Sequence, residues 1–331
     1  MFKLFANFKT GCNAVVLMYH RVTNLVVDPW QLAVSPERFE GQLKVLSKKY
    51  RVIALDELLY QRKHGKIKNK TVALTFDDGY LDNYVYAKPL LENYNCPATF
   101  FIPPYYLDTQ RAFWWDELLT LILFSVELPE YIKVDTGKKI FNRRVKARTI
   151  NTDAENLRLW IWNQPYPTER CEIYMALWAF LQPLLINEIT SCLDQLTASI
   201  DHPATMSSSD KAMSAAQLKH LTDNPLFKAG IHTMSHPALA YHGRANQQKE
   251  LLNCKTALEQ QLKQIVNIAA YPYGNFNDDT LQVMKENHLS AGFTTHAQKV
   301  NRTSKVFELG RFQVTNQNQS DFERQLRQWF K

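Results

Sequence analysis

The chain has 331 residues, 45% of them apolar, and a formal charge of +7. One large core fits that length, and α/β barrels routinely exceed roughly 200 residues as one domain, so no second catalytic domain is required. Five scattered cysteines, Cys12, Cys96, Cys171, Cys192 and Cys254, suit reduced thiols better than a disulfide framework and form no Cys-x-x-Cys metal site; with only 10 glycines there is no phosphate-binding Gly loop, and no motif that would place nucleic-acid bases.

The first nine residues, Met1 to Lys9, hold no sustained apolar run and no Ala-x-Ala cleavage site, so the expected location is the cytoplasm. Ala14 to Tyr19 reads as an apolar strand running into His20, with a helix over Pro36 to Lys48 behind it. A second apolar strand, Thr71 to Phe76, meets the pair Asp77-Asp78 and Gly79, followed by helix over Leu81 to Asn93 and a third strand, Ala98 to Ile102. A buried strand commonly ends in polar residues that turn the chain, so Asp77-Asp78-Gly79 alone is equally a turn capping the next helix.

Tyr105 to Asp210 then reads as a long, mostly helical insertion, a lid or binding wall within a single domain spanning residues 1–331. Trp114, Trp115 and Asp116 open an apolar helix, Leu118 to Phe124; they could stack on a sugar, or anchor the insertion on the barrel. Tyr131 to Phe141 reads as a hairpin turning at Asp135-Thr136-Gly137. Lys133 to Arg148 carries seven basic residues against Asp135 alone, a solvated face or an attractor for an anionic glycan, a nucleotide or pyrophosphate carrier, or a membrane surface. The longest apolar stretch, Tyr174 to Ile186, contains Gln182 and Pro183 and falls short of the ~20 residues that span a bilayer. It reads as core, or with Trp160 and Trp162 as a weak peripheral membrane contact. Ser207 to Asp210 is the expected mobile junction back to the barrel.

A fourth strand, Phe227 to Ile231, leads into His232-Thr233-Met234-Ser235-His236-Pro237, with helix from Asn246 to Leu262. Pro237 biases His236 away from helical angles, so the two imidazoles belong to a strand end running into a loop. Together with the Asp pair they supply two nitrogens and a carboxylate oxygen, the donor set of a catalytic zinc site with an open fourth position. Strands alternating with helices argue for a parallel sheet, and all these residues fall at the C-terminal ends of strands, where barrels assemble active sites.

Thr75 to Gly79 and His232, Thr233 and His236 resemble the first two motifs, Thr-Phe-Asp-Asp-Gly and His-Ser/Thr-x-x-His, of the polysaccharide deacetylase family, carbohydrate esterase family 4 with its nodulation-factor deacetylase homology domain. The resemblance covers roughly residues 14–104 and 212–315. It implies a distorted parallel (β/α) barrel of about seven strands. It also implies one divalent ion, zinc before cobalt, nickel or iron, on Asp78, His232 and His236, with Asp77 as base. The third motif resembles Ala270-Tyr271-Pro272-Tyr273-Gly274, so the Tyr273 N–H would help form an oxyanion hole, and Tyr80 and Pro272 would border the substrate.

Ala270 stands where the family has an Arg, and Arg311, in Glu308 to Phe312, is the candidate to reach Asp77 from another strand end; a packing Arg is the alternative. The family's C-terminal Leu-x-His is absent, while His20 reproduces its local setting, as in the circularly permuted branch, and would be the general acid. The implied reaction is removal of an N-acetyl, less readily an O-acetyl, group from a sugar or a carrier- or nucleotide-linked glycan intermediate in surface polysaccharide synthesis. The alternatives are another C–N hydrolase, a deformylase or amidase, on the same barrel, or an inert glycan-binding protein.

Overall fold

A computed structural model describes residues 12–109, 111–149, 154–207 and 210–331. Met1 to Lys9, on which the cytoplasmic expectation rests, lies outside the described residues, as do Ser208 and Ser209.

Seven parallel strands make one curled sheet in the order Ala291–Phe293, Ile268–Ala270, Phe227–Ile231, Ala98–Ile102, Thr71–Asp77, Ala14–Tyr19, Phe312–Gln313, with the short strand Arg51–Val52 also on Thr71–Asp77. This is the expected α/β architecture, a distorted half-barrel. The long central strands are buried along their whole length, as Thr71–Asp77 and Ala98–Ile102 show, because helices cover their outer side. The helix Pro36–Lys49 starts where Ser35 Oγ accepts the Arg38 N–H and Pro36 sits in the first turn. Beyond the expected elements, helices form at Leu55–Lys63, Ala215–Thr222, Asp278–Glu286 and Gln319–Phe330.

The two ends of the sheet approach each other. Leu309 N–H donates to Gly292 O at 2.9 Å, Thr294 N–H to Leu309 O at 2.8 Å, and Arg311 N–H to His296 O at 2.9 Å. The segment before Phe312 is thus stitched to the far edge strand while Phe312 itself pairs with Leu17. That stitching carries Arg311 into the barrel mouth.

Leu81 to Asn93 is not one regular helix. A π-turn, Asn83–Ala87, precedes an α-helical stretch, Lys88–Asn93, and the Lys88 N–H reaches back to Asn83 O. Pro89 is the cause: its ring has no N–H and crowds the preceding turn, which widens.

The insertion packs its own apolar cluster, including Phe113, Trp114, Leu118, Ile122, Tyr174, Leu177 and Leu193. Tyr131–Asp135 and Ile140–Arg144 form the antiparallel hairpin, and Tyr174 to Leu181 lies within the helix Glu169–Leu181. Among the described residues no helix is long and apolar enough to cross a membrane. The return limb is pinned instead of loose: Leu81 N–H donates to Lys211 O and Met213 N–H to Gly79 O, both at 2.9 Å, and Arg21 binds Asp210 at 2.9 Å. Of the expected mobile junction Ser207 to Asp210, Ser208 and Ser209 lie outside the described residues, and the backbone pairing to the Asp-Asp-Gly turn begins just after it, at Lys211.

Candidate active site

Three strand ends and two short loops converge at the mouth of the sheet. Asp78, Thr233, His236 and Tyr273 all have φ between 58 and 70°, a region that side-chain-bearing residues seldom occupy and that clusters at functional sites. Gly79 has φ 73°, and a Cβ there would stand 2.6 Å from Ile102 Cδ1, so a side chain after the Asp pair would be strained and would displace the end of Ile102.

Asp78 Oδ1 lies 3.4 Å from His232 Nε2 and 3.2 Å from His236 Nε2, all three residues buried. The His232 Nδ1–H donates to Ala270 O at 2.8 Å, so in the neutral imidazole Nε2 carries a lone pair. It faces a carboxylate oxygen that has no hydrogen-bond partner. Acceptors pressed together in a buried place need a cation or an extra proton between them. Burial lowers the His232 pKa, but Asp77 and Asp78 more than offset this and raise it, whereas at His236 burial outweighs Asp78 and the pKa is lowered. Two ligands about 2.0–2.1 Å from one tetrahedral ion stand roughly 3.3 Å apart, so the donor set and its spacing fit a divalent metal. The ligand atoms of the three residues all fall within 4.8 Å of one another.

Loop geometry around the imidazoles is fixed from behind. Glu250 accepts the Ser235 N–H at 2.9 Å and its hydroxyl at 2.8 Å, and Thr233 Oγ1 accepts the His236 N–H at 3.0 Å. His236 Nδ1 is 3.2 Å from the Tyr273 hydroxyl.

Asp77 meets Arg311 in a two-pronged pair, Nη1 to Oδ1 and Nη2 to Oδ2, both at 2.7 Å. Arg311 is fully buried and also donates to Thr294 O at 3.1 Å and Thr75 Oγ1 at 3.2 Å. Burial pushes the Asp77 carboxyl up, but the guanidinium overrides it and holds the group below the ordinary carboxylate range. Asp78 is likewise held far below that range, its burial outweighed by the two imidazoles.

His20 stands on the other side, Nε2 4.0 Å from Asp77 Oδ2, with Nδ1 buried and unpartnered. Burial lowers its pKa, and the carboxylates of Asp78 and Asp77 restore only part. A lowered pKa makes the protonated imidazole a stronger acid and a scarcer one. Tyr273 occupies the turn Pro272–Gly274 with φ 58° and ψ 7°.

A cavity of about 290 Å³ opens over these groups, lined by His20, Asp77, Asp78, His232, His236 and Tyr273 from the barrel side. Of the sequence candidates for substrate contact, Trp115 lines it, packed on His236 at 4.7 Å between ring centroids. Trp114, Asp116, Tyr80 and Pro272 lie outside its lining. Trp114 is buried in the insertion core, which is the anchoring alternative. Tyr80 and Asp116 act on Trp115 from behind: its Nε1–H donates to the Tyr80 hydroxyl at 2.8 Å, which donates to Asp116 Oδ2 at 2.7 Å. The remaining wall is Trp30, Trp162 and Trp178 together with Met18, Leu32, Thr295 and Gln313.

Sequence reasoning missed that wall, and also the struts behind His20. Asn83 Nδ2 donates to His20 O at 2.8 Å, and Asp82 takes the Arg21 Nε–H and the Val22 N–H, each at 2.9 Å. The signal was present in Asp82-Asn83, polar residues in the first turn after the Asp pair, but only the π-turn brings both inward.

A sequence model described as polysaccharide deacetylase matches residues 64–123 and 187–292. The poly-beta-1,6-N-acetyl-D-glucosamine N-deacetylase of Staphylococcus aureus strain N315 is 35% identical over 105 residues, 27% of this chain and 36% of its own. The chain thus spans about a third of the length of the curated relatives it matches. The Streptococcus pyogenes deacetylase PplD, solved in complex with acetate, superposes with a TM-score of 0.59 at 19% identity over 96% of this chain and 99% of its own. IcaB from Ammonifex degensii does so with a TM-score of 0.58 at 18% identity over 97% and 99%. At such identities these structures share the fold. With half of its residues matched by the family's sequence model, on the strands that carry both motifs, the chain belongs to the polysaccharide deacetylase family.

Proposed function

We propose that this protein is a metal-dependent deacetylase that removes N-acetyl groups from sugar units of an N-acetylglucosamine-type surface polysaccharide or its precursor, with O-acetyl groups as poorer substrates. The observation that carries the reading is the juxtaposition of three converging buried acceptors, Asp78, His232 and His236, with an ionised Asp77 clamped by Arg311. The fit of the donor set favours zinc, with cobalt, nickel or iron as substitutes.

A divalent ion on that set supplies Lewis acidity, polarising a carbonyl and lowering the pKa of a water towards ~7. Asp77, kept ionised by Arg311, is the group placed to accept a proton from the attacking water. The Tyr273 N–H is the donor for an oxyanion on the attacked carbon. His20, across the cavity from the imidazoles, delivers a proton to the leaving nitrogen, so that free amine and acetate depart.

The test is elemental analysis of purified wild-type protein beside the His232→Ala, His236→Ala double variant, with acetate release from a β-1,6-linked N-acetylglucosamine oligomer measured on both. About one ion per wild-type chain, lost in the double variant together with acetate release, is expected. Wild-type protein that holds no stoichiometric ion after zinc or cobalt is added, and yields no acetate, would sink the proposal.

A further inference from the structure

The insertion side of the cavity is walled by indoles that the hydrolytic chemistry does not use. Trp30 lies between Trp162, with ring centroids 5.5 Å apart and planes 25° apart, and Trp178, at 4.7 Å and 37°. All three line the cavity, and Trp162 keeps 46% of its surface exposed. An indole left outside the core, in a row with two others, forgoes apolar burial that a folding chain would otherwise use.

The row is rigid because polar bonds hold it. Trp30 Nε1–H donates to the Tyr174 hydroxyl at 3.0 Å, and Gln313 Nε2 donates to Trp30 O and Gln31 O, each at 3.0 Å. Asp28 closes the turn by accepting the Leu32 and Ala33 N–H groups at 2.9 and 2.8 Å, and the Trp162 N–H donates to Pro29 O at 3.0 Å. The loop after the first strand and the insertion are therefore locked to each other, with their indoles on the wall of the cavity that Asp78, His232 and His236 also line. Rigid aromatic faces offer large contact area at low conformational cost.

Two further features define the occupant. A volume of about 290 Å³ is at the small end for ligand pockets, which run from roughly 300 to 1,000 Å³, so it fits one sugar ring with its acyl group. Among the described residues, neither Lys nor Arg lines the cavity, so no fixed cationic side chain there is placed to pair with a phosphate.

We infer that Trp30, Trp162 and Trp178 form a platform that binds the ring of a single neutral acetylated sugar and sets specificity for it, in preference to a nucleotide- or pyrophosphate-linked one. The inference rests on the deacetylase reading for the identity of the sugar, and its test separates the two. A platform that holds the sugar ring and makes no bond to the reacting atoms binds ground state and transition state alike, so its loss raises KM and spares kcat.

The full chain carrying Asp77→Asn, which leaves the substrate unconsumed, is titrated calorimetrically with a β-1,6-linked N-acetylglucosamine tetramer, alone and combined with Trp162→Ala or Trp162→Phe. In parallel, acetate release by otherwise wild-type chains carrying the same Trp162 changes gives kcat and KM. Trp162→Ala is expected to weaken binding and raise KM by ~10-fold with kcat within about twofold, and Trp162→Phe to recover most of the loss. Unchanged affinity in Trp162→Ala overturns the platform even if wild-type protein releases acetate. Trp162-dependent binding without acetate release upholds the platform and overturns the deacetylase reading. A uridine-diphosphate-linked N-acetylglucosamine that binds tenfold more tightly than the free sugar also overturns the inference. Should Asp77→Asn fail to fold, the same acetylated tetramer titrated into His20→Ala chains, alone and combined with Trp162→Ala, gives the same comparison.

Discussion

On the barrel side of the cavity, polar groups are tied to separate parts of the chain: Asp77 to Arg311, His232 to Ala270 on a neighbouring strand, and the His20 backbone to Asn83 in the π-turn. On the insertion side, indoles are fixed to one another and to a loop, and their faces stay partly open. One half concentrates charge away from water, where an unpaired group is expensive; the other spreads apolar area, where a lost contact costs little folding energy and shows in ligand affinity. The two halves should therefore fail in different ways when a residue is removed.

Arg311→Ala offers the sharpest contrast. It strands the Asp77 carboxylate in a site where both partners are almost wholly buried, and breaking such a pair from one side typically costs ~3–5 kcal/mol. Urea unfolding should register that loss, turnover should collapse, and metal content should stay near the wild-type value because no ligand is touched. Trp162→Ala should shift the unfolding midpoint far less. Equal destabilisation by the two substitutions would erase the distinction between the halves.

The same division explains what could be read from the sequence. The convergence of Asp78, His232 and His236 was legible because a candidate metal group calls for particular residue types at particular spacings, and Thr75 to Gly79 and His232 to His236 lie on contiguous segments. Arg311 could be named only as a candidate, since its approach depends on stitching between Leu309, Gly292 and Thr294 that no local pattern encodes. The short strands Ile268–Ala270 and Ala291–Phe293 left too few residues for periodicity to register. The Trp wall was invisible as a unit: Trp30, Trp162 and Trp178 come from three separated segments, and sequence favoured the adjacent pair Trp114-Trp115, both buried in the core, of which Trp115 alone reaches the cavity.

Between the halves lies Asp116, whose carboxyl accepts from Tyr80 and is pushed up to about 7, chiefly by burial, which Arg21 and Tyr80 offset in part while Asp210 and Asp78 add to it. The unfolded chain ionises this group near pH 4 while the folded one keeps its proton. Its contribution is therefore fully present below about pH 4 and is lost as pH rises towards 7. Asp116→Asn should remove that slope. The difference between stabilities at pH 5 and pH 8 should shrink by on the order of 2 kcal/mol relative to wild type, as measured by urea unfolding at both values. An unaltered slope would mean that the junction is wetter than the barrel side and belongs with the open half.

The smallest effect is expected at the far edge of the insertion, in the basic hairpin. Lys138, Arg143, Arg144 and Arg148 face Glu188, Glu172, Glu130 and Glu127, so four of the run's seven positive charges are locally matched. Matched, water-exposed charges gain little from pairing, because water screens them and two long side chains must be held still. For Arg143→Gln, which frees a half-exposed Glu172 from a 2.8 Å contact, the change in unfolding free energy should be below ~0.5 kcal/mol, and it should vanish in 1 M salt. Turnover on a neutral oligomer should not respond, since the hairpin contributes nothing to the cavity lining. A fall in kcat/KM that salt reproduces in the wild type would instead show that the hairpin's field steers an anionic substrate towards the site, and the insertion would then work by charge as the barrel does.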